Sequence, residues 1–241
     1  MKNLIKSACA LAVAILFVAA YASADTIAEW TFETSYSSIT GAGNTPPLGP
    51  FSPEVGSGVG TGHHAAGTTL WSAPTGDGTA KSFSSNGWAV NDYYQFQINS
   101  TGYQDIKLDW DQTSSNTGPG DFILQYSTDN STYTTFGSDF SVLGNNAVGT
   151  RSFWSAASYV SDYHFSFDLS SVGSIDNQSA VYFRLVDNST ANINGGTVAL
   201  TGTDRVDSFT VSGVVVPEPS TVMLVGVGLA GLALGIRRRR S

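Results

Sequence analysis

Asp109, Trp110 and Asp111 stand in a row, and on a β-strand their alternation puts the two carboxylates on one face and the indole on the other. Two carboxylates roughly 7 Å apart by strand rise could offer hard oxygen ligands to Ca²⁺, or bracket a glycosidic bond as acid and base. The plainer expectation, and the preferred one, is a pair of solvated outward side chains around an inward Trp110. No second acidic cluster with a metal-loop spacing accompanies them, so Ca²⁺ is the one cofactor to test and none is required. His63-His64 could begin a transition-metal site, but His164 is a hundred residues on and no third ligand stands at a sensible spacing. An exposed pair in a loop is the expectation there.

Nucleophilic chemistry has less support still. The chain contains neither a G-x-S-x-G elbow nor a G-x-x-x-x-G-K-[ST] phosphate loop, and its single cysteine, Cys9, lies in the leader described below. The remaining candidates are aromatic, because sugar rings stack on indole and phenol faces and the chain has five Trp and ten Tyr. Trp71, Trp88 and Trp154 fall outside the cleanest alternating runs and are the candidate loop-borne platforms for a glycan, although large aromatics in a sandwich are more often core. Trp30 and Trp110 alternate with other apolar residues and are expected in the core.

Charge narrows the partners. Between residues 25 and 216 stand five basic residues (Lys81, Lys107, Arg151, Arg184 and Arg205) against 18 acidic ones, a net of −13. Five scattered cations cannot make the stripe that neutralises phosphates, so nucleic acid is excluded as a partner. A neutral glycan or a divalent cation fits better, and the acidity alone also serves solubility.

The elements that must position these residues are strands. Period-two alternation runs through Ala28, Trp30 and Phe32; Tyr94, Phe96 and Ile98; Ile106, Leu108 and Trp110; and Phe122, Leu124 and Tyr126. It resumes at Tyr163, Phe165, Phe167 and Leu169, then at Val181, Phe183 and Leu185, and at Phe209 and Val211. Gln95, Gln97, Lys107, Gln125, His164 and Arg184 take the opposite parity, as on strands wet on one side. At least seven such strands predict an all-β, antiparallel two-sheet sandwich of jelly-roll type, since one open sheet would leave every apolar face wet. Residues 40–87, broken by prolines and glycines, are expected as a loop-rich insertion laid over it.

Both ends read as targeting segments. Lys2 and Lys6 precede an apolar stretch from Ala8 to Ala20, and Ala22-Ser23-Ala24 offers a small-x-small site, so residues 1–24 are expected to be a signal peptide cut by signal peptidase before Asp25. At the other end Pro217-Glu218-Pro219 is followed by an apolar run over about 221–236 and by Arg237, Arg238, Arg239 and Arg240. Val222 to Ile236 as a helix is about 22 Å long, short of a ~30 Å hydrocarbon core, yet long enough to span when the arginines snorkel. Four cations hold that end inside and leave residues 25–216, expected as one domain, outside.

The order of these features over Val216 to Ser241, with the signal itself placed at 217–241, resembles the PEP-CTERM sorting signal of exopolysaccharide-producing Gram-negative bacteria. The resemblance implies recognition and cleavage by an exosortase-like membrane protease, a transient transmembrane helix, and delivery to the cell surface or extracellular matrix. Tyr93 to Gly213, with Gly102-Tyr103, Phe122 to Asp129 and Arg205-Val206-Asp207-Ser208-Phe209, resembles a β-sandwich module of exported bacterial proteins and implies a fold. Ser127 to Tyr133 is similar in part to the Asp-box hairpin of sialidases but has Ser131 for its glycine, so a side-chain-stabilised turn is expected. Together these readings give a non-enzymatic, exported structural or adhesive protein associated with biofilm and exopolysaccharide. A carbohydrate-binding module or carbohydrate-active enzyme is the alternative.

Overall fold

The computed structural model describes residues 23–34, 41–42, 50–146 and 153–216. Its strands are β1 (Ala24–Trp30), β2 (Gly41–Ala42), β3 (Val55–Gly56), β4 (Gly58–His63), β5 (Leu70–Ser72), β6 (Phe83–Asn86) and β7 (Tyr93–Ile98). They continue as β8 (Tyr103–Ser114), β9 (Asp121–Ser127), β10 (Thr134–Ser141), β11 (Leu143–Gly144), β12 (His164–Asp168), β13 (Val181–Asp187) and β14 (Thr203–Val215). Two single turns of 3₁₀-helix, at Ser161–Tyr163 and Gly173–Ile175, are the helical elements among the described residues.

The strands form two sheets, as the alternation predicts. One has nine strands in the order β11-β8-β14-β6-β5-β2, with β1 on β14, β3 on β1 and β12 on β8. The other has five, in the order β10-β9-β13-β7-β4. Among the described residues every pair is antiparallel except the two-residue contact of β11 with β8. Between the sheets the inward residues of each run meet: Phe96 stacks on Phe209 at 3.8 Å, Trp30 tilts against Phe96, and Trp110 lies flat against Phe165 and Phe167. Trp30 and Trp110 are fully buried.

The expectation of loops over residues 40–87 needs correction. Within the described part of that span β4 completes the five-stranded sheet and β5 and β6 extend the nine-stranded one. The reason is steric. Gly58, Gly60 and Gly62 are the inward residues of β4, and a Cβ at each would lie 2.8, 2.3 and 2.0 Å from the rings of Trp30, Phe51 and Trp71 respectively. The large partners sit on other strands, so the inward face of β4 carries no apolar side chain for a pattern to register.

The two termini of the described body emerge together. β1 pairs with β14 so that Ala24 lies opposite Val214 and Asp25 opposite Gly213, and the Val216 N–H donates to the Gly102 carbonyl. Ala24 thus lies at the start of a strand; Ala22, Pro217 to Pro219, the apolar run 221–236 and the terminal arginines fall outside the described residues. Among the described residues no helix is long and apolar enough to cross a membrane.

Candidate functional site

The two faces of the sandwich treat polar residues differently. On the nine-stranded sheet Asp111 lies directly across from Asp207 on β14 and from His164 on β12, with Asp109 two residues away on the same face. Asp111 Oδ1 is 3.0 Å from His164 Nδ1, and Asp109 Oδ1 is 3.5 Å from Nε2 of the same ring and 3.2 Å from Lys107 Nζ. The expectation of two solvated carboxylates holds for Asp109, which is partly exposed, and fails for Asp111, which is 4 % exposed. Two segments outside the alternating runs cover it. Trp154 Nε1 donates to the Thr75 carbonyl, the Gly78 N–H to Ser155 and the Val160 N–H to Asp77 Oδ2, which seals residues 74–82 and 153–163 over Asp77, Asp111 and Asp207.

Burial dominates the protonation of these acids. Loss of water pushes Asp207 up to about 7 against the Thr79 hydroxyl and the Asp77 and Ser208 N–H groups, and pushes Asp77 up to about 6. Asp111 is raised by the same cause, opposed by His164. A histidine and a lysine are what the fold brings to Asp109 and Asp111. Among the described residues no three His, Cys, Asp or Glu side chains converge as a metal site.

His63 and His64 part company. His63 is exposed at the end of β4, whereas His64 is completely buried, wedged edge-on against Trp71 and Trp88. Its Nε2 is 2.9 Å from Ser85 Oγ and its Nδ1 3.1 Å from Asp92 Oδ2, while Asp92 also accepts the Ala65 and Ala89 N–H groups. The order Ser–His–Asp is that of a hydrolytic triad, but all three residues are at most 1 % exposed. They fasten the connection after β4 to the β6–β7 turn, and the expected exposed loop pair is thus half wrong.

The three candidate platform tryptophans are also core. Trp71, Trp88 and Trp154 are 0, 5 and 6 % exposed. Trp71 stacks on Phe83, Trp88 meets Tyr94 and Phe122 edge to face, and Trp154 meets Tyr163 the same way, so none offers a sugar a free ring face. Trp71 fills core volume from β5 itself, and Trp88 and Trp154 do so from the connections after β6 and before β12.

Phe153 and Tyr159, 60 and 54 % exposed, belong to the segment that covers Asp111, whereas a row of part-exposed aromatics lies on the outer face of the five-stranded sheet. His63 on β4 and its register partner Tyr93 on β7 stack at 4.9 Å with planes 7° apart. The Arg184 guanidinium, from β13, lies 3.9 Å from the Tyr93 ring centre and 3.6 Å from that of Tyr133. Gln95 ties the row together, its Oε1 accepting Arg184 Nε at 2.7 Å and the Tyr133 hydroxyl at 2.9 Å. Desolvation between these neighbours raises the Tyr133 phenol to about 12, so it stays a neutral donor.

Tyr133 is placed by the turn before it. Asp129 Oδ1 accepts the Ser131 and Thr132 N–H groups and Ser127 Oγ, Ser127 Oγ accepts the Asn130 N–H, and Asn130 adopts φ +59°. Three acceptances hold the Asp129 carboxyl well below its usual range. Gln97, Gln125 and Tyr182 share the outer face by strand parity and are part-exposed. Gln95, Gln97, Gln125 and Arg184 are outward in the sequence pattern already; Tyr93 and Tyr182 have the same parity, which is the signal that could have found them. A separate depression of about 230 Å³ at the loop end is lined by Asn116, Asn146, Asn194, Val142 and Ile193.

Known proteins resemble the chain in two ways. Residues 215–240 match the PEP-CTERM protein-sorting motif, which is a C-terminal sorting signal of exported proteins, processed by an exosortase-like membrane protein through a membrane intermediate before the cell surface. No curated protein sequence matches the chain. Among solved structures, the CBM22-1 xylan-binding domain of Paenibacillus barcinonensis Xyn10C is 11 % identical with a TM-score of 0.45, over 82 % of this chain and 100 % of that one. The K2 cleaved adhesin domain of Lys-gingipain is 16 % identical with a TM-score of 0.40, over 76 % and 96 %. The K3 adhesin domain of Lys-gingipain from Porphyromonas gingivalis is 12 % identical with a TM-score of 0.34, over 78 % and 100 %. All are partial overlays, and the two-sheet architecture rests on the strand pairing of the chain itself.

Proposed function

We propose that this exported, PEP-CTERM-bearing chain is a non-catalytic adhesive protein of the cell surface and exopolysaccharide matrix, and that it holds polysaccharide on the outer face of its five-stranded sheet. The observation that carries this reading is the row His63, Tyr93, Arg184 and Tyr133, fixed before any ligand arrives and flanked by Gln97, Gln125 and Tyr182. Amides, hydroxyls and guanidinium edges are the groups that pair with sugar hydroxyls. Preorganisation by stacking and by the Gln95 bonds spares the entropy of ordering long side chains on binding. Strands β4, β7, β9 and β13 give an open surface across which an extended chain can lie. The β1–β14 pairing supports surface display, because Ala24 and Val214, the residues nearest the two terminal segments in that ladder, lie side by side at one place on the sandwich.

Retention of the mature protein on the polysaccharide of its producer tests the reading. Tyr93→Ala combined with Tyr133→Ala is expected to weaken retention by about ten-fold or more, each ring contributing about 1 kcal/mol. Ser212→Ala, on β14 of the other sheet, is expected to leave it unchanged. Retention of the double variant at the level of the natural chain, with both folded, would refute the assignment of this face.

A further inference from the structure

The charge on this face is not that of the rest of the body. Eighteen acidic residues stand between residues 25 and 216, yet the outward positions of β4, β7, β9 and β13 are Val59, Thr61 and His63; Tyr93, Gln95 and Gln97; Asp121, Ile123 and Gln125; and Tyr182, Arg184 and Val186, the last only 5 % exposed. Asp121, at the end of β9, is the one carboxylate among them, and Arg184 is their one permanent cation. The nearby acids at the margin are engaged elsewhere: Asp121 accepts the Ser141 hydroxyl and Asp129 is tied into its own turn.

Arg184 itself is held but not neutralised. Its Nε donates to Gln95 and its plane is flanked by two phenol rings, while neither terminal nitrogen has an acceptor and no carboxylate lies within ion-pair distance among the described residues. Lys107, by contrast, pairs with Asp109. A guanidinium fixed in plane, with its terminal N–H groups unspent, is shaped to take a carboxylate through two parallel hydrogen bonds. Stacking restricts its rotation and so lowers the entropic cost of that geometry.

We propose that Arg184 receives a sugar carboxylate, so that the ligand of this face is a uronate-bearing polysaccharide, with Gln97, Gln125 and Tyr182 taking the hydroxyls around it. This deepens the function proposed above and rests on it. The overall charge of the body does not forbid such a ligand, since charges beyond about 8–10 Å are screened at physiological ionic strength. Local charge at the face decides.

The test uses the mature protein from its producing cells in affinity electrophoresis through gels containing polygalacturonate or its methyl ester, which has the same backbone without the charge. The expected result is retardation by polygalacturonate at least about ten-fold stronger than by the ester, weakened as NaCl rises from about 0.05 to 0.5 M. Arg184→Gln is expected to bring the acid form down to the level of the ester, and Arg184→Lys to fall between, since an ammonium keeps the charge and loses the planar pair. Equal retardation by acid and ester overturns the uronate assignment and leaves the polysaccharide-binding face standing. Retardation by neither overturns the uronate assignment, and retention on the polysaccharide of the producer then decides separately whether the face binds polysaccharide. If Arg184→Gln fails to fold, the acid-to-ester ratio and salt dependence of the natural chain still decide, and a purely structural Arg184 would leave that ratio at one.

Discussion

The folded body is expected to be more stable at pH 5 than at pH 8, the reverse of a protein stabilised by ionised carboxylates. Burial holds Asp187 and Asp207 near 7 and Asp77 near 6, against about 3.8 in the unfolded chain. Between those limits the folded state binds more protons than the unfolded one, so stability falls as pH rises from about 4 through 7 and levels off above. Asp187 is the sharpest case: Oδ1 accepts the Ser189 N–H, Oδ2 is buried with no partner, and Asp92 and Asp121 add like charge. Asp129 and Asp168 work in the other direction, since their carboxylates are favoured by turn hydrogen bonds and lose that stabilisation below about 4. A stability maximum near pH 4–5 follows.

Even a third of the rise from about 3.8 to about 7 at Asp187 and Asp207 together amounts to about 3 kcal/mol, or roughly 6–12 °C in Tm for a body of this size. Scanning calorimetry at pH 5 and pH 8 measures it. Asp187→Asn, which removes the charge and keeps the shape, is expected to raise Tm at pH 8 and to change it little at pH 5. A Tm that rises with pH, or an Asp187→Asn variant equally destabilised at both, would show that these carboxyls are not held neutral.

The second large effect is steric. Gly62→Ala places a methyl 2.0 Å from Cη2 of Trp71, a ring that is fully buried, stacked on Phe83 and braced by His64. Neither backbone nor ring has room to give, so the cost is expected at or above the ~3 kcal/mol upper end of overpacking. Gly67→Ala, where a Cβ would meet nothing within 4 Å, is the matched control and is expected within about 0.5 kcal/mol of the natural chain. Trp71→Leu is expected to restore part of the loss in Gly62→Ala by vacating the space. Denaturant midpoints of the four proteins decide, and a Gly62→Ala protein as stable as Gly67→Ala would mean that β4 does not close on Trp71.

This contact also explains where pattern reading stops. Runs such as Tyr94, Phe96 and Ile98 announce their strand because the inward residue is itself apolar. β4 does not, because its inward residues are absences that only the rings opposite make meaningful. β6 fails for a related reason: Ser84 is buried, but its hydroxyl is satisfied by the Asp204 carbonyl, which no local pattern reveals. Polar burial misleads again at Asp111, whose outward parity is right while the solvent is displaced by a segment some forty residues on.

The candidate binding face was legible only in part. Parity marks Tyr93, Gln95, Gln97, Gln125 and Arg184 as outward, but strand order alone brings positions 63, 93, 133 and 184 into one row, and that order is a tertiary fact. The indoles are the opposite case: irregular local context suggested platforms, and the need to fill a sandwich between uneven connections buried them. The sorting tail needed no tertiary information, since Pro-Glu-Pro, an apolar run and an arginine cluster are read in order along the chain.

Amide chemical-shift mapping of the mature protein, titrated with the polysaccharide of its producer, is the most direct test of the binding assignment. The account predicts perturbations concentrated at His63, Tyr93, Gln97, Gln125, Tyr182 and Arg184, with the Asn116–Asn146–Asn194 depression and the Asp109–His164 face unmoved. Perturbations confined to that depression or to that acidic face, or none at saturating polysaccharide, would contradict it.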